Sequence, residues 1–215
     1  MPEKIKLFYS HDPMCSFCWA FRPIWVEIQK NLAKRNPEIE IINIMGGLAP
    51  DSEEPMPENV KRKVQAAWQY IEQNIPGTHF NYDFWRLQQP RRSTYPACRA
   101  VIATRMLDSG LEGKMILAIQ QAYYMHAQNP SDEDTLVACA ESIGLDGALF
   151  TRALHSAACE QAFEQDRIHS RNLGIGGFPS LVIARGNSQF SIPVDYNNAA
   201  KVLDKLYEAI AVLQK

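Results

Sequence analysis

Met14-Cys15-Ser16-Phe17-Cys18-Trp19 decides how this chain is read, because it sets a Cys-x-x-Cys between a strand pattern and a helix pattern. Upstream, Lys4 to Ser10 (KIKLFYS) alternates polar and apolar side chains, with Ile5, Leu7 and Tyr9 on one face, which predicts a β-strand. From Ser16 onward the apolar positions shift to helical spacing: Phe17, Phe21, Ile24, Trp25, Ile28 and Leu32 fall along one stripe. Cys15 then lies at a helix mouth, where unpaired backbone N–H groups and the macrodipole favour negative charge. That setting favours a thiolate, the reactive form of cysteine. Cys18 follows one turn later on the same face, within reach of a disulfide with Cys15. One sulfur is primed to attack and the other is placed to resolve.

A structural zinc site needs four ligands, and this motif supplies two. Cys98, Cys139 and Cys159 are single and far apart, with no second Cys-x-x-Cys and no Cys-x-x-His. His155 and Cys159 share an i, i+4 spacing that reads as packing. A Cys-x-x-Cys behind a strand reads instead as a redox pair. No metal is assigned.

Strand, Cys-x-x-Cys and then Pro23, eight residues after the first cysteine, resembles thioredoxin, whose first helix is kinked by a proline at that offset. The second half of the signature is Gly176-Gly177-Phe178-Pro179-Ser180-Leu181-Val182-Ile183. In thioredoxin-like proteins a cis-proline precedes a strand in this way and faces the dithiol, so the resemblance implies a cis Pro179. The long gap between the two halves is similar to the DsbA group, where a helical domain is inserted into the thioredoxin fold. Asp12-Pro13-Met14-Cys15-Ser16-Phe17-Cys18-Trp19, with Ser93-Thr94-Tyr95-Pro96-Ala97-Cys98-Arg99-Ala100, most resembles the cytosolic FrnE-like branch. The resemblance implies an α/β, thioredoxin-like fold with an inserted all-helical domain. Residues 1–50 and 161–215 would form the thioredoxin-like part, and 51–160 the insert.

The whole chain sets compatible bounds. Its 215 residues, 46% hydrophobic and 21% charged, suit one compact domain or two interleaved ones. The net charge is −2 with acid and base interspersed, which leaves no basic stripe for nucleic acid. No apolar run of about eighteen residues could span a bilayer, so no membrane partner is expected. MPEKIKLFYS has no apolar core or small-residue cleavage site, so no signal peptide is expected. Five scattered cysteines are unlike a secreted disulfide scaffold, and the cytoplasm is the expected compartment.

Taken in order, Glu38 to Met45 predicts a second strand, parallel to the first and joined to it by a crossover helix. Gly46-Gly47 reads as a turn leaving the sheet. Ala49 to Pro57, with three prolines, reads as a linker. Helices are predicted over Asn59–Ile75, Leu117–Gln128, Glu133–Ile143, Gly147–His155 and Gln161–Leu173. His79 to Gln89 is irregular and aromatic, and reads as a plug between two domains. Ser93 or Thr94 is expected to cap the next helix, with Pro96 in its first turn. Cys98 reads there as a small buried hydrophobe, with an acidified thiol as the alternative. Ser131-Asp132-Glu133-Asp134 looks like a capping box. Ser180 to Ala184, a turn at Arg185-Gly186-Asn187, Gln189 to Ile192 and a helix over Tyr196–Leu213 close the fold.

The resemblance implies thiol–disulfide exchange carried by Cys15, Cys18 and Pro179, with Phe178, Phe17 and Trp19 as substrate contacts. Phe178, where many relatives carry Thr or Val, is expected to pair its backbone with an extended substrate. The implied partners are protein or peptide disulfides and a thiol reductant or glutathione. No resident cofactor is expected, and glutathione enters only as a co-substrate. Strongly oxidising DsbA members carry Pro-His where Ser16-Phe17 stands, so a milder reductase or isomerase is expected. His11 reads as a solvated residue at the strand end. The runner-up is a kappa-class-like glutathione transferase or hydroxychromene-carboxylate isomerase, but those use serine at the first motif position. A third reading is a non-catalytic partner platform on the same fold.

Overall fold

A computed structural model describes residues 3–214. The chain opens with β1 (Lys6–His11), α1 (Ser16–Arg35) and β2 (Glu40–Met45). It returns to the same sheet with β3 (Ser180–Arg185) and β4 (Ser188–Ile192). The strand order is β2-β1-β3-β4, with β1 parallel to β2 and antiparallel to β3. β4 runs antiparallel to β3, with Arg185 opposite Ser188. That register leaves Gly186 and Asn187 as a two-residue turn, and Gly186 takes the positive φ (+59°) such a turn requires.

The inner position of β1 corrects one expectation. The strand begins at Lys6 and ends at His11, and both of its faces are covered. Leu7 and Tyr9 pack with Phe21, Trp25, Ile28 and Leu32 of α1 and with the closing helix α9 (Ala199–Leu213). Phe8 packs on the opposite face with Ile44, Leu173 and Val182. The alternation in KIKLFYS therefore does not mark a wet face. Ser10 is as deeply buried as Leu7, and Phe8 is buried too.

Between β2 and β3 the chain forms α2 (Glu58–Asn74), α3 (Phe84–Leu87), α4 (Tyr95–Leu107), α5 (Glu112–Tyr124), α6 (Glu133–Ser142), α7 (Gly147–Leu154) and α8 (Ala157–Asn172). Several ends differ from the sequence reading: α5 stops at Tyr124, four residues before Gln128, and α9 starts at Ala199, three after Tyr196. α5 starts five residues before Leu117, directly behind a single 3-10 turn at Ser109–Leu111. α8 starts at Ala157 because Ser156 caps it, its hydroxyl accepting from the Cys159 N–H at 3.1 Å. The helices from α4 to α8 share a core that includes Val101, Ile102, Met115, Ile119, Leu136 and Phe150. The capping box at Ser131–Asp134 does not form. Asp132 occupies the N-cap of α6, but its carboxylate turns to Arg91 at 2.6 Å instead.

Two connections fix the helical layer to the sheet. Arg105 of α4 pairs with Glu112 (2.6 Å) and Asp166 (3.2 Å) and donates to the Asn43 carbonyl of β2 (3.1 Å). The second is aromatic: Trp68, Phe80, Phe84, Trp85, Tyr123 and Tyr124 form one cluster that closes on Ala20 of α1. Phe80, Phe84 and Trp85 of the aromatic stretch are buried in this cluster. Among the described residues, no helix is long and apolar enough to cross a membrane.

Candidate functional site

β1 runs into the Cys-x-x-Cys through a tight turn. The Cys15 N–H donates to the Asp12 carbonyl at 3.0 Å, and Cys15 itself is the extended N-cap residue of α1. Cys18 lies one turn inside the helix. All five cysteines are free thiols. Cys15 retains 7% of its surface, whereas Cys18 has none. Burial pushes the Cys18 thiol well above the ordinary cysteine range, and the neighbouring Cys15 pushes it further.

Phe178-Pro179 is a cis peptide, and Pro179 is buried at the start of β3. The Cys15 Sγ lies 3.6 Å from the Phe178 carbonyl oxygen, 163 positions away in the chain. The fold thus joins the two halves of the signature. The Phe178 ring lies over Gly46, where a Cβ would collide with it. Phe17 is half-buried between Tyr70 and Tyr196, with ring centroids at 6.5 and 5.9 Å. Trp19 stacks on Tyr124 at 5.6 Å and donates its indole N–H to the His79 carbonyl at 3.2 Å. Trp19 is therefore tied into the aromatic seam; Phe17 and Phe178 are half-buried, as Trp19 is.

The largest feature missed in the sequence is Asp12, which is fully buried beside the dithiol. Its Oδ1 accepts from the Met14 N–H at 2.7 Å. Its Oδ2 accepts from the Leu48 N–H (2.7 Å), the Thr94 hydroxyl (2.7 Å) and the Cys98 thiol (3.6 Å). Burial raises its carboxyl, and these donors oppose the rise. One signal was available: Asp two residues before an amide is a common Asx-turn start. The Thr94 hydroxyl, expected to cap α4, occupies the N-cap position but makes no capping bond. It serves Asp12 instead, and accepts from the Leu48 and Ala49 N–H groups at 3.0 and 3.1 Å. Cys98 is fully buried, as the small-hydrophobe reading has it, but it also donates to a carboxylate. Its thiol is pushed up by burial and by Asp12, so it is not the acidified alternative.

His11 is also corrected. It is fully buried and stacked on Tyr9 at 4.5 Å, and neither ring nitrogen has a protein partner. Burial lowers its pKa to about 3, helped by the Arg105 and Arg22 charges. A small cavity of about 60 Å³ lies between His11, Cys18, Arg22 and Gln120. Among the described residues, no group of three or more His, Cys, Asp or Glu side chains is placed to hold a metal ion.

Comparison with known proteins bears on the fold and the family. The ClpXP adapter protein SpxH of Halalkalibacterium halodurans is 23% identical over 192 residues, 86% of this chain and 60% of that protein. SpxH of Bacillus subtilis is 25% identical over 185 residues, 84% of this chain and 58% of that protein. The chain thus spans about three fifths of the length of the curated relatives it matches. Among solved structures, a candidate protein disulfide isomerase from Nitrosomonas europaea superposes with a TM-score of 0.85 at 23% identity, covering 98% of this chain and 99% of that one. The cytosolic disulfide reductase DsbM from Pseudomonas aeruginosa gives 0.74 at 21% identity, covering 96% and 99%. The fold is therefore DsbA-like: a thioredoxin-like sheet with a helical insertion. A family model described as Thioredoxin matches residues 8–203, nearly the whole chain, and the protein belongs to that family.

Proposed function

We propose that the protein is a thiol–disulfide oxidoreductase, acting as a reductase or isomerase of protein or small-molecule disulfides through Cys15 and Cys18. The observation that carries this reading is the meeting of a partly accessible Cys15 at a helix N-terminus, a buried Cys18 one turn on, and the Phe178 carbonyl 3.6 Å from the Cys15 sulfur. The Cys15 thiolate attacks one sulfur of a substrate disulfide. The substrate S–S bond breaks, and the departing sulfur leaves as a thiolate that takes a proton from solvent. Cys18 then releases its proton, and its sulfur attacks Cys15. The mixed disulfide breaks, and the second substrate thiol departs. Two electrons have passed from the dithiol to the substrate, and two glutathione thiols restore it by the same exchange.

Phe178 bears on substrate binding through its backbone, which lies beside the nucleophile and can pair with an extended peptide. Phe17 and Trp19 complete the proposed contacts. Glutathione as the recycling thiol, and a reducing cytoplasm as the compartment, draw support from structural neighbours described as cytosolic DsbM, one of them with GSH (TM-score 0.68, 20% identity). A second reading, a partner-binding platform, draws on the adapter role for which the curated relatives are named.

Trapping separates these readings. Cys18→Ser leaves the attack intact and strands substrates on Cys15 as complexes that dithiothreitol releases, whereas Cys15→Ser gives none. Complexes that form equally well when both cysteines are serine support the platform. A Cys15→Ser variant that conjugates glutathione to an electrophile, with nothing trapped by Cys18→Ser, supports the transferase.

A further inference from the structure

Arg22 of α1 is a cation that the fold leaves without a counter-charge. Its side chain is half-buried, and among the described residues its Nη1 donates to the neutral Gln120 Oε1 at 3.4 Å. Burial pushes its pKa down, and the Tyr9 phenol is the group whose charge would push it back. That phenol is itself pushed far up by burial and so stays neutral. A partly desolvated cation normally meets an anion, because burial penalises an unpaired charge. No step of disulfide exchange uses Arg22.

Arg22 lines the cavity of about 60 Å³ that β1, α1, β2 and α5 enclose. A water needs about 10–15 Å³ of such space, so the cavity has room for an ion of chloride or nitrate size and none for a peptide. Its walls favour negative charge. Gln120 turns its oxygen to Arg22, which leaves its NH2 free to donate. The fully buried His11 has no protein partner on either ring nitrogen, and a neutral imidazole carries one N–H in either tautomer. The Arg22 and Arg105 charges both act on that ring, and no carboxylate charge opposes them there. Glu112 does reach Asn43 of the wall at 2.9 Å, but Arg105 pairs with it at 2.6 Å. The way in is at Gly113, in the first turn of α5. It is the exposed member of the lining, and a Cβ there would meet nothing within 4 Å.

We propose that this cavity binds a small monovalent anion, held by the Arg22 guanidinium with the Gln120 amide and the His11 imidazole as further donors, and entered past Gly113. The inference goes beyond the oxidoreductase reading and does not depend on it.

The test is a titration of the native full chain with sodium chloride. Sodium gluconate, whose anion is too large to enter, keeps the ionic strength constant. The ¹H–¹⁵N resonances of the Gln120 side-chain amide, the Arg22 Nε–H and the Gly113 amide should shift together and saturate at one half-saturating concentration. Arg22→Gln removes the cation and should abolish the saturating shift at Gln120. Gly113→Glu and Gly113→Lys place opposite charges at the exposed entrance. The half-saturating concentration should rise about threefold with Glu and fall about threefold with Lys. Shifts that never saturate in the wild type mean that the cavity holds water only, and they overturn the inference. A saturating Gln120 shift that survives in Arg22→Gln places the ion elsewhere and overturns it too. If Arg22→Gln does not fold, equal half-saturation in the two Gly113 variants has the same force.

Discussion

The ring of Phe178 occupies the space that a side chain on Gly46 would need, so the end of β2 and the residue before Pro179 are packed as one unit. Gly46 is also anchored by its N–H, which donates to the His11 carbonyl at 2.8 Å, so the backbone cannot easily retreat. Gly46→Ala must then displace the ring. Overpacking of this kind costs about 1–3 kcal/mol. The Gly46→Ala, Phe178→Ala double variant should recover much of that loss, because the ring is no longer there. Urea midpoints for the four proteins of the cycle measure the coupling. Additive losses would mean that the ring moves aside freely.

His11 predicts an acid-side loss of stability. Its folded pKa is lowered to about 3, from about 6.5 when unfolded. Between those values the unfolded chain binds a proton that the folded chain refuses. The stability from keeping His11 neutral is therefore fully present above about pH 6.5 and is lost as the pH falls toward 3. The slope reaches about 1.4 kcal/mol per pH unit. Arg105 and Arg22, the charges that act on the ring, stay cationic throughout this window. His11→Phe cannot titrate, so the stability difference between wild type and variant should be flat from pH 7 to 8 and should move in the variant's favour below pH 6. A difference independent of pH down to 4 would show that the folded and unfolded chains protonate His11 alike.

Much of the site was legible in the sequence because it is written in local patterns. A strand meets a helix at Cys15, and a second strand starts behind Pro179; periodicity and punctuation record both. Asp12, His11 and Thr94 were not legible, for one physical reason. Each looks like a solvated or capping residue until α4 and the β2–α2 connection close over the end of β1. The Thr94 hydroxyl could have capped its own helix, and only the fold brings a buried carboxylate within 2.7 Å to outcompete that role. The strand start shifted from Lys4 to Lys6, and α5 began early at Glu112, because those ends depend on neighbours and not on the apolar repeat.

Arg105 joins α4, α5, α8 and the β2 backbone through one guanidinium. Its partners Glu112 and Asp166 are mostly shielded, with side chains 15% and 16% exposed. Arg105→Met keeps the stem but leaves both carboxylates without their cation. Hydrogen bonds to charged groups are worth about 1.5–3 kcal/mol, and a loss of that size is expected in urea unfolding. Asp166 also accepts from the Met45 N–H at 2.9 Å, at the end of β2. Hydrogen exchange of the Met45 amide should therefore quicken in the variant. Unchanged protection there would place the pin outside the coupling of sheet and helices.

The five thiols should separate cleanly by reactivity. Cys15 and Cys139 keep 7% and 6% of their surface, while Cys18, Cys98 and Cys159 are sealed. Burial also pushes Cys18 and Cys98 far up, and moves Cys139 and Cys159 to about 11. A protonated, enclosed thiol alkylates only when the structure opens. Iodoacetamide at pH 7 should therefore add one carbamidomethyl group per native reduced chain, on Cys15, and five after unfolding in urea. Cys15→Ser should reduce native labelling to none over the same interval. Prior oxidation to the Cys15–Cys18 disulfide should do the same and leave three reactive thiols in urea. Rapid native labelling of Cys18 in the Cys15→Ser variant would show that the second sulfur is open to attack, and the division into attacking and resolving cysteines would fall.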